Sequence, residues 1–445
     1  MELTHPPDMI RFEEYVHELE SYATAALAGN NQALEDIDFT KLLNGGVGLE
    51  LRRRVALEHR QQIGAFFTGE SLRLSAFGQI FNSAVEGPVW DPACGAGDLL
   101  LSYAEKLPIL PDIGDTITSW GNKLYGNDIQ DVFLRAAKAR LVLAAFARGA
   151  RNLDERNLSL HSVFPNFLQQ DSLHTPLDEC PADVVLNPPF ISLIASHDCE
   201  WGSGSVSAAA VFVDMCLKVA SPGTRIIAIL PDVLRTGTRY ERWRKMVAEH
   251  AEVKRVDIYG PFDPQADVDV FILELQVRHS RMLQLGQEGP WGLLNNSLQE
   301  KISSYFSVSV GPVVPHRHRE EGPDLAFLHS RDATPWGTLD QLAPRRRFTG
   351  TTHYPPFVVI RRTSSPSDRN RAIGTIINCT EPVAVENHLV VCKPNDGRIE
   401  SCQSLLEVLK SSSTNDWLNN RIRCRHLTVG AVKEIPFPYP PSSSE

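Results

Sequence analysis

The chain has 445 residues, 42% of them hydrophobic, enough for two or three globular domains with a large core. No apolar stretch reaches the ~20 residues needed to span a bilayer, and Met1-Glu2-Leu3-Thr4-His5-Pro6-Pro7 lacks a basic-then-apolar signal pattern, so a cytoplasmic protein without a membrane partner is expected. The net charge of -10 argues against a uniformly basic nucleic-acid binder, but it is unevenly spread: from Ser280 onward 19 Lys and Arg face 16 Asp and Glu, leaving 25 basic and 38 acidic residues before it.

Eight cysteines (94, 180, 199, 216, 379, 392, 402, 424) form no CxxC pair and no His/Cys cluster at zinc spacing, so neither a disulfide framework nor a metal site is expected. Residues 1–58 carry Phe12, Tyr15, Leu19, Tyr22 and Ala26 at three- and four-residue spacing, which predicts a small helical region with a break at Gly45-Gly46. From 59 to 279 short apolar strands alternate with helices, the pattern of a doubly wound α/β domain. Strands are predicted at 88–90, 124–126, 158–160, 184–186, 225–230, 253–258 and 268–275. The last two are separated by Gly260, Pro261 and Pro264 with no room for a helix, so the seventh strand should be antiparallel. From 280 to 440 the alternation stops and Pro, Gly and Ser become frequent, predicting a β-rich α+β domain followed by a disordered tail at 441–445. Arginines cluster in that domain at Arg345, Arg346, Arg347, at Arg361, Arg362, and at Arg421, Arg423, Arg425. Any one cluster is an ordinary solvated face, whereas three in one mildly basic domain favour phosphate contact.

Asp91-Pro92-Ala93-Cys94-Gly95-Ala96-Gly97-Asp98 follows the first predicted strand and precedes a helix. A glycine-rich turn at the carboxyl end of a first strand lets a ligand approach the backbone, as in a nucleotide pocket. The Lys-Ser/Thr ending of a P-loop and the third glycine of a dinucleotide fingerprint are both missing. Asp91 at the strand end suits a cationic group better than a pyrophosphate. Asp128 is placed to accept from ribose hydroxyls, with Ile129 free to pack on a purine, and Asp171, followed by Ser172, can accept from an adenine amino group. Each acid alone is more commonly a turn or cap residue. Acids after three successive strands, with the glycine turn, describe a pocket for a positively charged adenosine ligand, and S-adenosylmethionine fits.

The tetrapeptide Asn187-Pro188-Pro189-Phe190 follows the apolar run ending at Leu186. Its prolines hold the backbone extended and remove two amide donors. An exocyclic amino group could donate both hydrogens, to the Asn187 amide oxygen and the Pro188 carbonyl, freeing its lone pair for attack. Phe190 offers a face for stacking a base. On four residues alone, a proline-rich turn over a packed aromatic is an equal reading. The stretch 191–206, with Gly202-Ser203-Gly204-Ser205, reads as a mobile loop beside this site, or as a plain surface loop.

Taken in order, these segments resemble the adenine-N6 DNA methyltransferases of restriction-modification systems in which the cofactor segment precedes the catalytic one, as in type I modification subunits and type II enzymes with a C-terminal specificity domain. The resemblance spans about 60–279. It includes Phe66-Phe67-Thr68, where Gly69 replaces the family's usual proline, the turn from Asp91 to Gly97, Asp128, Asp171, the Asn187 tetrapeptide and 223–234. The close at 426–438 is similar to the end of type II specificity domains. The resemblance implies a Rossmann-like methyltransferase sheet and S-adenosylmethionine as cofactor, with Phe66, Thr68, Asp91, Pro92, Ala93, Cys94, Gly95, Gly97, Asp128, Ile129, Asp171 and Ser172 around it. It implies methyl transfer to N6 of a flipped-out adenine in duplex DNA by Asn187, Pro188, Pro189 and Phe190, target recognition after 280, and a separate restriction endonuclease or defence-system subunit. The alternatives are a methyltransferase acting on RNA or on protein glutamine, and a non-catalytic DNA-binding subunit of the same fold.

Overall fold

The computed structural model describes residues 7–78, 87–153, 158–175, 177, 181–263, 268–279, 291, 300–423 and 425–438. The tail expected at 441–445, Cys180 and Cys424 lie outside them. The chain divides into two compact units, one comprising Met1–Arg235 and Arg239–Trp291, the other Thr236–Thr238 and Gly292–Glu445.

Seven strands form the sheet of the first unit: Val89–Asp91, Leu124–Asp128, Phe167–Gln169, Asp183–Leu186, Arg225–Pro231, Ala251–Pro261 and Asp269–Val277. Numbered along the chain, they lie side by side in the order third, second, first, fourth, fifth, seventh, sixth. The seventh runs antiparallel to both neighbours and the remaining pairs are parallel, which gives a mixed, mostly parallel α/β sheet. Strand order reverses between the first and fourth strands, so the loops leaving their carboxyl ends, 92–97 and 187–191, flank one crevice. Those loops hold the glycine turn and the Asn187 tetrapeptide.

The third strand is not where its sequence pattern predicts. Residues 158–160 form no strand; Ser162 folds back on Ser159 through its amide and its hydroxyl, and Leu158 and Leu160 pack sideways on the core. Phe167–Gln169 takes the position instead, pairing with Gly126 to Asp128. The physical reason is register: only this segment brings a buried aromatic, Phe167, against the glycine at 126.

Helix Asp131–Ala147 is apolar almost all round, and it is buried on nearly every face, packing on the second and third strands and on the N-terminal helix Pro7–Leu27. The N-terminal helices are therefore part of the first unit's core. The break near Gly45-Gly46 is real: Gly45 takes φ 82°, and the helix resumes at Val47–Arg54. Arg140, in the middle of Asp131–Ala147, is fully buried and donates to the Leu42, Leu43 and Ala96 carbonyls and to Asp98.

The second unit has a five-stranded sheet and a three-stranded sheet. The former is covered by helices that include Ile399–Lys410, packed through Leu405, Leu406 and Leu409. No described helix is long and apolar enough to cross a membrane.

Removing one partner of a buried ion pair leaves the other charge uncompensated, so Arg140→Met is expected to cost roughly 3–5 kcal/mol in urea unfolding. Arg140→Met combined with Asp98→Leu should recover part of that loss. A double variant as unstable as the sum of the singles would contradict the pairing.

Candidate functional site

The site is built on the turn after the first strand. Gly95 (φ 51°) and Gly97 (φ 82°) occupy the left-handed region, and a Cβ at either would press on the Phe67 ring or on Ala137 at 3.0 Å. The turn is tied to its neighbours: Cys94 N–H donates to the Asn127 carbonyl at 2.8 Å, Gly95 N–H to Asp128 Oδ2 at 3.0 Å, and the Ser172 hydroxyl to the Pro92 carbonyl at 2.8 Å. Three successive strand ends are thereby joined around one cavity of about 230 Å³, near the low end of small-molecule sites at ~300 Å³.

Of the sequence-predicted residues, Phe66, Pro92, Ala93, Gly95, Asp128, Ile129, Asp171, Ser172, Asn187 and Pro189 line this cavity. Thr68, Asp91, Cys94, Gly97, Pro188 and Phe190 do not, and stand behind or beside it. Phe67 of the Phe66-Phe67-Thr68 motif lines it too, as do Phe133, Phe212, Ile191 and Leu193, which no sequence motif assigned to it. Phe133 and Phe212 sit on apolar helix faces, where pattern cannot separate a cavity wall from a core contact.

Among the described residues, Asp128 and Asp171 are the only ionisable groups in the wall, and no Lys or Arg joins them. Burial pushes the Asp128 pKa up to about 6, against the lowering effect of amide bonds from Gln130 and Gly95. Behind it, burial pushes Asp91 well above the carboxylate range, opposed by its bond from Ala93 N–H and reinforced by Asp128 and Asp98. Asp98 is charge-compensated, with Arg140 2.8 Å away. Asp171 closes its own turn, accepting from Leu173 N–H and lying 2.8 Å from His174 Nδ1, which leaves its carboxylate partly open. The cavity is thus an apolar cup with an uncompensated negative wall, a match for a cationic ligand with apolar surface.

Asn187 sits at the rim with its amide oriented. Its Nδ2 donates to Thr68 Oγ1 at 2.9 Å and to the Phe66 carbonyl at 3.4 Å, while Oδ1 accepts from no described residue. Thr68 is held in turn by its amide, which donates to Asp98 Oδ2 at 3.1 Å. Gly69, which stands where the resembling family has proline, takes φ −66° and ψ 157°, an angle a proline would also adopt. Gly64 (φ 68°) caps the helix Leu57–Ile63 in close contact with Pro189, whose Cβ lies 2.5 Å from where a Gly64 Cβ would stand. The Phe190 ring meets Phe262 edge-to-face, centroids 5.2 Å apart.

The segment 191–206 is not a loose loop. Ser192–Ile194 pairs antiparallel with Ser205–Ser207, and buried Trp201 donates from Nε1 to Asp214 at 3.0 Å. Serines at 192, 205 and 207, and only three residues in each strand, hide the alternation that would mark a hairpin.

In the second unit, Arg345, Arg346 and Arg347 form an edge strand. Arg345 pairs with Asp324 and Glu381, Arg346 with Glu320 and the His318 carbonyl, and Arg347 donates to the Gly322 carbonyl. Arg361 and Arg362 donate to the Ala333 and Asn387 carbonyls, and Arg421 pairs with Glu434. Arg423 and Arg425 lie just beyond the helix Ser412–Arg421.

Residues 50–258 match the N-6 DNA Methylase family. No curated protein matches the chain. Among solved structures, the type IIL restriction-modification enzyme MmeI in complex with DNA is similar over 89% of this chain and 70% of that one, with a TM-score of 0.55 and 12% identity, a likeness of fold. The type IIG restriction endonuclease BpuSI is similar over 89% of this chain and 61% of its own, with a TM-score of 0.44 and 15% identity. The M protein of the type I restriction enzyme EcoKI is similar over 60% of this chain and 63% of its own, with a TM-score of 0.35 and 15% identity.

The raised Asp128 pKa has a measurable consequence. An unfolded Asp titrates near 3.8 and the folded one near 6, so the folded chain binds the extra proton between them and loses stability as pH rises through that window. Asp128→Asn is therefore expected to raise the calorimetric Tm of the protein by a few degrees at about pH 7 and to leave it unchanged below about pH 4. A lower Tm for the variant at neutral pH would show that the charge is compensated.

Proposed function

We propose, from the membership of residues 50–258 in the N-6 DNA methylase family, that the chain transfers a methyl group from S-adenosylmethionine to the N6 amino group of a flipped-out adenine in duplex DNA. On this reading it is the modification component of a restriction-modification or phage-defence system. The observation that carries the reading is Asn187: an amide lining an acidic cavity, whose Nδ2 is held by Thr68 and the Phe66 carbonyl while Oδ1 accepts from no described residue.

The cofactor would lie in that cavity, its ribose hydroxyls at Asp128, its purine against Ile129 and its amino group at Asp171, while the negative wall favours its positive sulfur. When bound, it supplies an electrophilic methyl group. The protein's part is alignment. Asn187 Oδ1 and the Pro188 carbonyl, which accepts no hydrogen bond from described residues, would take the two N6 hydrogens and draw the lone pair out of conjugation. The nitrogen held by Asn187 and Pro188 would face the methyl group such a cofactor supplies, and its proton, acidic only after transfer, would leave to solvent. No covalent intermediate and no general base are required; positioning and electrostatics carry the rate. Extruding the base costs roughly a few kcal/mol, which stacking on Phe190 offsets by about 1–3 kcal/mol. Pro189, braced by Gly64, fixes the turn. The second unit would read the target, with Arg345, Arg346, Arg347, Arg361, Arg362, Arg421, Arg423 and Arg425 as its candidate phosphate contacts.

Asn187→Ala is expected to lower transfer of labelled methyl to duplex DNA on the order of 100-fold or more, with cofactor affinity by calorimetry little changed. Label entering RNA or protein in preference to duplex DNA would overturn the substrate assignment. The purified chain alone should methylate DNA. Activity appearing only on addition of a second polypeptide would show that recognition resides elsewhere.

A further inference from the structure

Phe262 immediately follows the strand Ala251–Pro261, and its backbone is pinned by the bond from its own N–H to the Val268 carbonyl at 2.9 Å. Its ring stands edge-on to Phe190 at 5.2 Å. The next residue, Asp263, forms an ion pair with Arg52 of the helix Val47–Arg54, 211 positions away in sequence. Asp263 keeps only 9% of its side chain exposed and Arg52 32%, so the pair is largely withdrawn from solvent. Arg60 lies close to both. Burial lowers its pKa, Asp263 raises it and Arg52 lowers it further. The Arg60 guanidinium lies 5.5 Å from the centre of the Phe66 ring, which faces the cavity, and four residues on Gly64 touches Pro189. The stretch from Arg52 to Phe66 therefore reaches the aromatic pair through Asp263, the catalytic turn through Gly64 and the cavity wall through Phe66.

We propose that Asp263 is a positioning residue: paired with Arg52 beside Arg60, it holds Phe262 edge-on to Phe190 and so sets the slot through which a flipped base reaches Asn187. The inference rests on the reading of the chain as an adenine methyltransferase. An exposed pair of this kind would contribute little. This pair is mostly desolvated, and it fixes the residue bonded directly to Phe262, so its loss acts on ring placement before it acts on the fold. Displacement of the ring by about 1 Å is enough to lower a rate on the order of 100-fold.

The test places 4-fluorophenylalanine at position 262 of the full chain and records its fluorine resonance without DNA, alongside methylation kinetics and cofactor affinity. Asp263→Asn, an isosteric change, should shift or broaden the resonance and lower kcat/KM for duplex DNA on the order of 100-fold, with cofactor affinity held and the protein still folded at the assay temperature. Arg52→Gln should do the same, and the double variant should be no worse than either single, because both remove one interaction. An unmoved resonance in Asp263→Asn, additive losses in the double variant, or full activity despite a shifted resonance would each overturn the proposal. A resonance that shifts as described in a wild-type background inert toward DNA would uphold the clamp and refute the methylation reading.

Discussion

The guanidinium of Arg140 holds the site together. It is fully buried, and its donors are divided among the Leu42 and Leu43 carbonyls, the Ala96 carbonyl at 2.6 Å and Asp98 at 2.8 Å. Asp98 passes the constraint to the Thr68 amide, and the Thr68 hydroxyl passes it to Asn187. One charge at the centre of the helix Asp131–Ala147 thus fixes the kinked N-terminal segment, the glycine turn and the rim amide together. A buried ion pair is weak evidence for stability on its own, because desolvation consumes much of the attraction. Its use here is geometric: four acceptors must meet one planar fork, and few arrangements satisfy all of them.

The cavity shows the opposite economy. Asp91 and Asp128 are buried with amide donors but no cation, which burial penalises, and the pKa of both rises. A structure optimised for stability alone would place an asparagine or an arginine there. On the proposed reading, a positive ligand bound there would relieve the repulsion that folding imposed. Asp98 makes the contrast plain, since the one acid of the turn that has a structural task also has its arginine.

Most of the first unit was legible because topology places function where sequence can show it. Strand order reverses beside the first strand, so the glycine turn and the Asn187 tetrapeptide, 96 residues apart from Asp91 to Asn187, meet at one crevice. What was not legible depended on partners distant in sequence. Leu158-Ser159-Leu160 has strand composition, yet the pairing partner of Gly126 to Asp128 is the shorter segment at Phe167. The hairpin at 192–207 reads as a loop because its anchor, Trp201 on Asp214, is a tertiary contact. The arginine clusters were visible as charge, whereas Asp324, Glu381 and Glu320, which engage Arg345 and Arg346 of one cluster, come from other segments. Cavity residues on helices, such as Phe133, carry no signal apart from core packing.

Gly69 shows how a departure from a family pattern can leave geometry untouched. The position needs φ near −65° because Thr68 must hold two bonds at once, its amide to Asp98 and its hydroxyl to Asn187, while the chain turns into the helix Glu70–Phe77. Proline would impose that angle through its ring; glycine reaches the same φ of −66° because the turn is already fixed on both sides. On one side stands Asp98, locked by Arg140, and on the other the first turn of the helix, where the Arg73 amide donates to the Gly69 carbonyl at 3.0 Å. The cost of glycine is entropic and falls on the unfolded chain, whereas the orientation of Asn187 is set by contacts that do not involve residue 69. The alignment of the rim amide therefore depends on the buried ion pair and survives the loss of the proline.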